Sequence, residues 1–74
     1  MNNWYVYIID KEGNLYVGVS TDMENLVRQH GVERPLHIEG PRPKTDALKR
    51  ERTLKGWRRE KKLALIKEYS SVLH

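Results

Sequence analysis

Among the side chains in this sequence that can move protons or hold a cation, Tyr7, Tyr16, His30 and Glu51 are placed where they could form a site. The tyrosines lie in two β-type runs, Tyr5-Val6-Tyr7-Ile8-Ile9 and Leu15-Tyr16-Val17-Gly18. Side chains alternate along a strand, so Trp4, Val6 and Ile8 share one face and Tyr5, Tyr7 and Ile9 the other. Leu15, Val17 and Val19 form a matching row, with Tyr16 opposite beside Gly18. When the two apolar rows face one core, Tyr7 and Tyr16 stand together as the wall of a site. The plain structural reading is that tyrosine simply favours strands. Glu51 is the clearest chemical signal on its own. It falls on the helical stripe of Ala47, Leu48 and Leu54, where a carboxylate is costly unless paired, hydrogen-bonded or bound to a cation. Arg50, Arg52 and Lys55 are the partners that would explain it without function.

The elements that must position these groups follow in order. Asp10-Lys11-Glu12-Gly13-Asn14 tolerates turn conformations and makes the first two runs a hairpin. Thr21-Asp22-Met23-Glu24 reads as a capping box with Thr21 as N-cap, opening a helix from about Asp22 to His30 that Gly31 stops. Met23, Leu26, Val27 and His30 form its apolar stripe. A histidine there is ordinarily a core residue. Pro35 breaks the chain, and Leu36-His37-Ile38-Glu39 is a short third strand ended by Gly40-Pro41-Arg42-Pro43, with His37 at the surface. A second helix runs from Thr45 or Asp46, either of which can cap it, to Lys55. Trp57 anchors the chain after Gly56, and a last helix from about Arg58 carries Leu63, Ile66 and Tyr69 inward. The expected fold is α+β, a small three-stranded antiparallel sheet flanked by helices in the order ββαβαα, with residues 1–74 as a single domain.

Composition narrows the function classes. A chain of 74 residues without cysteine has neither disulfides nor thiolate metal sites, which fits a reducing compartment. No apolar run approaches the length of a signal or membrane segment, so the expected location is the cytoplasm and no membrane partner is expected. Between Arg42 and Lys62 the charge balance is +7, against −3 for the rest and +4 for the whole chain. A basic stretch of this kind suits a polyanion such as nucleic acid, although Lys and Arg also serve as ordinary helix formers. The residues expected to meet DNA are Arg28, Arg50, Lys55, Arg58, Arg59 and Lys62.

Tyr5-Val6-Tyr7 and Tyr16-Val17-Gly18 resemble the paired tripeptides of the GIY-YIG nucleases. The resemblance continues through the helix after Gly18, through Ala47-Leu48-Lys49-Arg50-Glu51, and through Lys55-Gly56-Trp57-Arg58-Arg59-Glu60-Lys61-Lys62. It covers most of the chain and matches the small stand-alone members of that family. It implies a metal-dependent endonuclease that hydrolyses DNA phosphodiester bonds, with catalytic residues Tyr7, Tyr16, His30 and Glu51. Tyr7 would take the proton of the attacking water, Tyr16 would hold the water or phosphate, and His30 would bond or relay. Glu51 would carry Mg²⁺, or another divalent cation such as Mn²⁺. An unperturbed phenol has a pKa of about 10, so a nearby cation must favour the phenolate.

Two departures bear on activity. The family's arginine on the first helix, one turn before the histidine, is Leu26 here. Arg28 lies about 200° around the helix from it. The asparagine that some members carry near the end has no counterpart beyond Glu51. The alternative expectation is therefore a non-catalytic nucleic-acid-binding domain that keeps the GIY-YIG fold. A small domain whose basic helix meets an acidic protein is a third.

Overall fold

A computed structural model describes residues 3–30 and 35–72, apart from the side chains of 27, 30 and 70–72. The elements are β1 (Trp4–Lys11), β2 (Asn14–Ser20), α1 (Met23–His30), β3 (His37–Arg42), α2 (Lys44–Lys55) and α3 (Arg59–Val72). The strands form one antiparallel sheet in the order β2-β1-β3. The expected α+β architecture and ββαβαα order are what the chain adopts.

The hairpin turn is tighter than the five-residue stretch suggested. Lys11 pairs with Asn14, leaving Glu12 and Gly13 as a two-residue loop with φ of 55° and 85°. Positive φ at both central residues gives a turn whose twist matches that of the strands. Gly13 N–H donates to Asp10 Oδ1 at 3.0 Å, fixing the loop from inside.

Both faces of the sheet are covered. On one, Val6, Ile8 and Val17 pack with Ala47 and Leu54 of α2, bordered by Trp4, Trp57, Leu65 and Ile66. On the other, Tyr7 and Ile9 pack with Leu26 of α1 and the partly buried Met23. Val6, Ile8 and Leu54 have no exposed surface, and full burial of each aliphatic side chain stabilises the fold by roughly 1.5–3 kcal/mol. A central strand buried on both faces is why β1 is apolar in four consecutive positions.

Several local expectations need correction. Asp22, not Thr21, caps α1: its Oδ1 accepts the Asn25 N–H at 3.0 Å, while Ser20 Oγ accepts the Asp22 N–H at 3.0 Å. Asp22 reaches that donor, so the helix starts one residue later. Neither Thr45 nor Asp46 caps α2, which starts at Lys44 behind Pro43 with no side-chain cap bond. The third strand does not stop at Glu39. It runs to Arg42 through a register shift opposite Trp4 and Val6, and Gly40 lies there at φ 133° with the Trp4 carbonyl so close that a Cβ would sit 2.7 Å from it. Leu48 and Leu63 are exposed, not core, because α3 turns Leu65 and Ile66 inward and α2 turns Ala47 and Leu54. Gly31, the expected helix stop, lies outside the described residues. No helix among the described residues is long and apolar enough to cross a membrane.

Candidate active site

The paired tyrosines come together as the strand alternation requires. Tyr7 sits opposite Gly18 in the β1–β2 register, and Tyr16 opposite Ile9. The two rings have centroids 6.2 Å apart and are tilted by 33°. Tyr7 is buried, whereas Tyr16 is nearly half exposed at the edge strand. The Tyr7 ring lies across Gly18 so closely that a Cβ there would strike the phenol hydroxyl and its ring carbon Cζ. The glycine of Tyr16-Val17-Gly18 thus has a packing reason: it is the floor on which the first tyrosine rests.

Glu51 arrives from the other layer. α2 packs on the Val6–Ile8–Val17 face, opposite the one that carries both phenols. Its carboxylate nevertheless acts on Tyr7 electrostatically. Burial, then the neighbouring Tyr16, then the charge of Glu51 push the Tyr7 phenol up to about 12. Coulomb influence of this kind needs proximity through a medium poorer in water than bulk. Lys55 Nζ stands 3.4 Å from Glu51 Oε2, an i,i+4 pair with the lysine mostly exposed and the glutamate mostly buried. Glu51 therefore has one of the neutralising partners that its spacing allowed.

As a metal ligand, Glu51 offers a single carboxylate. Among the described residues no group of three His, Cys, Asp or Glu side chains is disposed to hold an ion. One carboxylate suits a hydrated Mg²⁺ that completes its shell with water and phosphate oxygens, and it does not suit a dehydrated ion in a protein cage. Lys55 shares that carboxylate and competes with any cation for it.

The remaining expected residues are scattered. Leu26 is buried against Tyr7 and Ile9, so the position where the nucleases carry an arginine is part of the core beneath the phenol. Arg28 is on the outside of α1, reaching Glu24 at 3.5 Å with both side chains mostly exposed. His30 closes α1, and its side chain lies outside the described residues. Lys55, Arg58 and Arg59 are exposed around the α2–α3 junction, and Lys62 is half-buried. Arg59 Nη1 donates to the Gly13 carbonyl at 3.1 Å, tying the start of α3 to the hairpin tip. Lys61 lies over the Trp57 ring at 4.3 Å.

Arg50 is not a free surface cation. Its Nε donates to Glu39 Oε1 at 2.8 Å and its Nη2 to Oε2 at 3.0 Å. Glu39 also receives His37 Nε2 at 2.8 Å and lies 3.5 Å from Arg42 Nη2. Burial opposes ionisation of Glu39, but the bonds from Arg50 and His37 outweigh it and hold the carboxyl below its ordinary value of 4.5. His37, expected at the surface, is 4% exposed and meets Tyr69 edge-on at 5.0 Å between centroids. The reason is that His37 and Glu39 pair with Ile8 and Val6 on the face covered by α2 and α3. Against an ionised carboxylate His37 Nε2 carries the hydrogen, and its Nδ1 is buried without a hydrogen-bond partner. Sequence reading missed this cluster. A glutamate alternating with apolar residues in a strand, followed eleven positions later by an arginine on a helix's inner face, was the available signal.

UPF0213 proteins of Staphylococcus aureus strains Mu3, Mu50 and N315 are each 38% identical to this chain over 81 aligned positions, covering 92% of it and 99% of the relative. No protein-family model matches the chain, and no solved structure matches it significantly. Identity at this level along nearly the whole of both chains shows common descent, and the chain belongs to the UPF0213 family.

Proposed function

We propose that this protein is a metal-dependent DNA endonuclease of the GIY-YIG type, working in the cytoplasm and slowed by the leucine at position 26. The observation that carries the reading is the buried Tyr7 phenol seated on Gly18, with Tyr16 beside it and the charge of Glu51 felt from the opposite layer. Tyr16 of the same hairpin and Glu51 of α2 both bear on the Tyr7 phenol, which a purely structural tyrosine does not require.

In this reading Tyr7 acts as the phenolate: its own proton leaves to solvent first, it then takes the proton of the attacking water, and Tyr16, more exposed, orients the water or the scissile phosphate. Glu51 holds Mg²⁺, which would supply Lewis-acid stabilisation of the phosphate. A phenol near 12 is a poor base precursor at neutral pH. Once its charge is matched by a cation, Glu51 no longer opposes ionisation of Tyr7; burial and Tyr16 still do. His30 is left the role of hydrogen-bonding or relaying. Lys55, Arg58, Arg59 and Lys62 would follow the DNA backbone, with Arg28 farther out on α1. Arg50 contributes through Glu39 instead.

The test is nicking of supercoiled DNA in Mg²⁺ by the wild type and by Glu51→Gln, with the fold of each checked by circular dichroism. Cleavage that vanishes in the variant supports the enzyme. Equal residual cleavage in both sinks it. A second reading, a nucleic-acid-binding domain without turnover, is favoured by Leu26 lying in the core where a phosphate clamp is expected. It requires DNA affinity that falls steeply with salt and no Glu51-dependent cleavage.

A further inference from the structure

We infer that Lys55 is an exchangeable phosphate contact: it rests on Glu51 in the free protein and passes to a DNA phosphate when Glu51 takes up a divalent cation, which couples the binding of metal and DNA. This rests on the proposed role of Glu51, and it supplies a positive charge for which Leu26, part of the core, leaves no place.

Several other cations are engaged elsewhere. Arg28 reaches Glu24 on the outside of α1, and Arg50 grips both oxygens of Glu39 at 2.8 and 3.0 Å. Arg59 donates to the Gly13 carbonyl at the hairpin tip, and Lys61 covers the Trp57 ring. Arg52, next to Glu51 in sequence, projects about 100° away from it around the helix. Lys55 lies one turn on, with Nζ 3.4 Å from Glu51 Oε2. A ligand that reaches this carboxylate therefore comes within contact range of the ammonium.

The strength of each contact decides which cation is free to move. The Lys55 side chain is 55% exposed, and its 3.4 Å separation exceeds the roughly 2.7–2.9 Å of a charge-assisted hydrogen bond. An i,i+4 pair of this kind adds little to stability, so breaking it costs little. The Arg50–Glu39 pair is the opposite case, part-buried, two-pronged and supported by His37 Nε2 at 2.8 Å. Lys55 is also the last residue of α2, and Gly56 follows it without a side chain to confine its stem.

Charge gives the direction of the exchange. Glu51 with Lys55 is neutral. With a divalent cation on Glu51 the ammonium faces a surplus of positive charge and is repelled from the carboxylate. A DNA phosphodiester brought to the same place carries the negative charge that Lys55 then lacks, and lysine binds phosphate as a compact point charge on a flexible stem. Lys55 thus weakens metal binding without DNA and strengthens DNA binding with metal, and such coupling is reciprocal between the two ligands.

The test is Lys55→Met, which keeps an unbranched apolar stem and removes the charge, with the fold checked by circular dichroism. Two affinities are read. One is that of the free protein for Mn²⁺, from the electron paramagnetic resonance of the unbound ion. The other is that for a short DNA duplex in Ca²⁺ over a salt series. Mn²⁺ affinity should rise about 3- to 10-fold, because the competing ammonium is gone. DNA affinity should fall, and the slope of log affinity against log salt should shrink by about 1, the mark of one phosphate contact. The two changes in opposite directions are the signature. A lysine that only follows the DNA backbone gives the second without the first, one that only blocks the metal gives the first without the second, and a pair with no bearing on either ligand gives neither; each of these results overturns the inference. Glu51→Gln shows whether Glu51 holds the ion at all. Mn²⁺ binding that is absent from wild type and Lys55→Met alike, or that survives Glu51→Gln, removes the metal-dependent nuclease reading and the role of Lys55 with it. Mn²⁺ binding that needs Glu51 but ignores Lys55 removes the role of Lys55 alone.

Discussion

Gly18→Ala is the sharpest probe of the arrangement around Tyr7. The added methyl would lie against the Tyr7 hydroxyl and 2.6 Å from ring carbon Cζ, with Cε2 at 3.0 Å. Flexible surface side chains step aside from such a contact. Tyr7 has little freedom to do so, since it is 4% exposed and wedged with Ile9 and Leu26 beneath α1. Either the ring leaves its place or the β1–β2 ladder distorts at the Tyr7–Gly18 pair. Overpacking of this kind typically costs about 1–3 kcal/mol. A domain of this size has roughly 4–11 kcal/mol in all, so the loss is a large share. Urea unfolding followed by Trp4 and Trp57 fluorescence measures it as a lower midpoint with an unchanged slope. Gly18→Ala with Tyr7→Leu, which removes the ring from the methyl's path, should recover part of the difference between Tyr7→Leu alone and wild type. A Gly18→Ala protein within about 0.3 kcal/mol of wild type, its Tyr7 ring signals unmoved, would refute the seating of Tyr7 on Gly18.

The alkaline limb of stability should carry the mark of Tyr7. Its folded pKa of about 12 exceeds the ordinary 10, so the folded state keeps a proton that the unfolded chain releases. Its contribution is intact below pH 10 and is lost as pH rises from 10 to 12, on the order of 2–3 kcal/mol in total. Tyr7→Phe should flatten that part of the profile, and an unchanged profile by urea unfolding at several pH values counts against the shift. Leu26→Arg, placing a guanidinium under the phenol, should lower the Tyr7 midpoint and raise Mg²⁺-dependent cleavage by up to about 100- to 1000-fold. A folded, DNA-binding variant with neither change would mean that position 26 does not face the reacting groups.

The faces of the hairpin were legible from local alternation alone. Alternation along Trp4–Ile9 and Leu15–Val19 requires Tyr7 and Tyr16 to stand together and Val6, Ile8 and Val17 to stand opposite. The order of elements was legible too, because turn residues, prolines and the helical period are local properties, whereas the capping residues of α1 and α2 were not those expected. The inward position of Glu51 was legible for the same reason, from its place between Ala47 and Leu54. Long-range packing supplies what periodicity cannot carry. A period says which way a side chain points from its own element, not what covers it. His37 and Glu39 alternate as a solvated row would, yet α2 and α3 lie over them and make them an interior cluster. Arg50 and Lys55 are both basic residues beside Glu51 in sequence; only the packing of α2 across β3 commits one to Glu39 and leaves the other on Glu51. The placement of α2, and Glu51 with it, on the face opposite the phenols is likewise a property of how helices pack on a three-stranded sheet, information spread over contacts far apart in the chain.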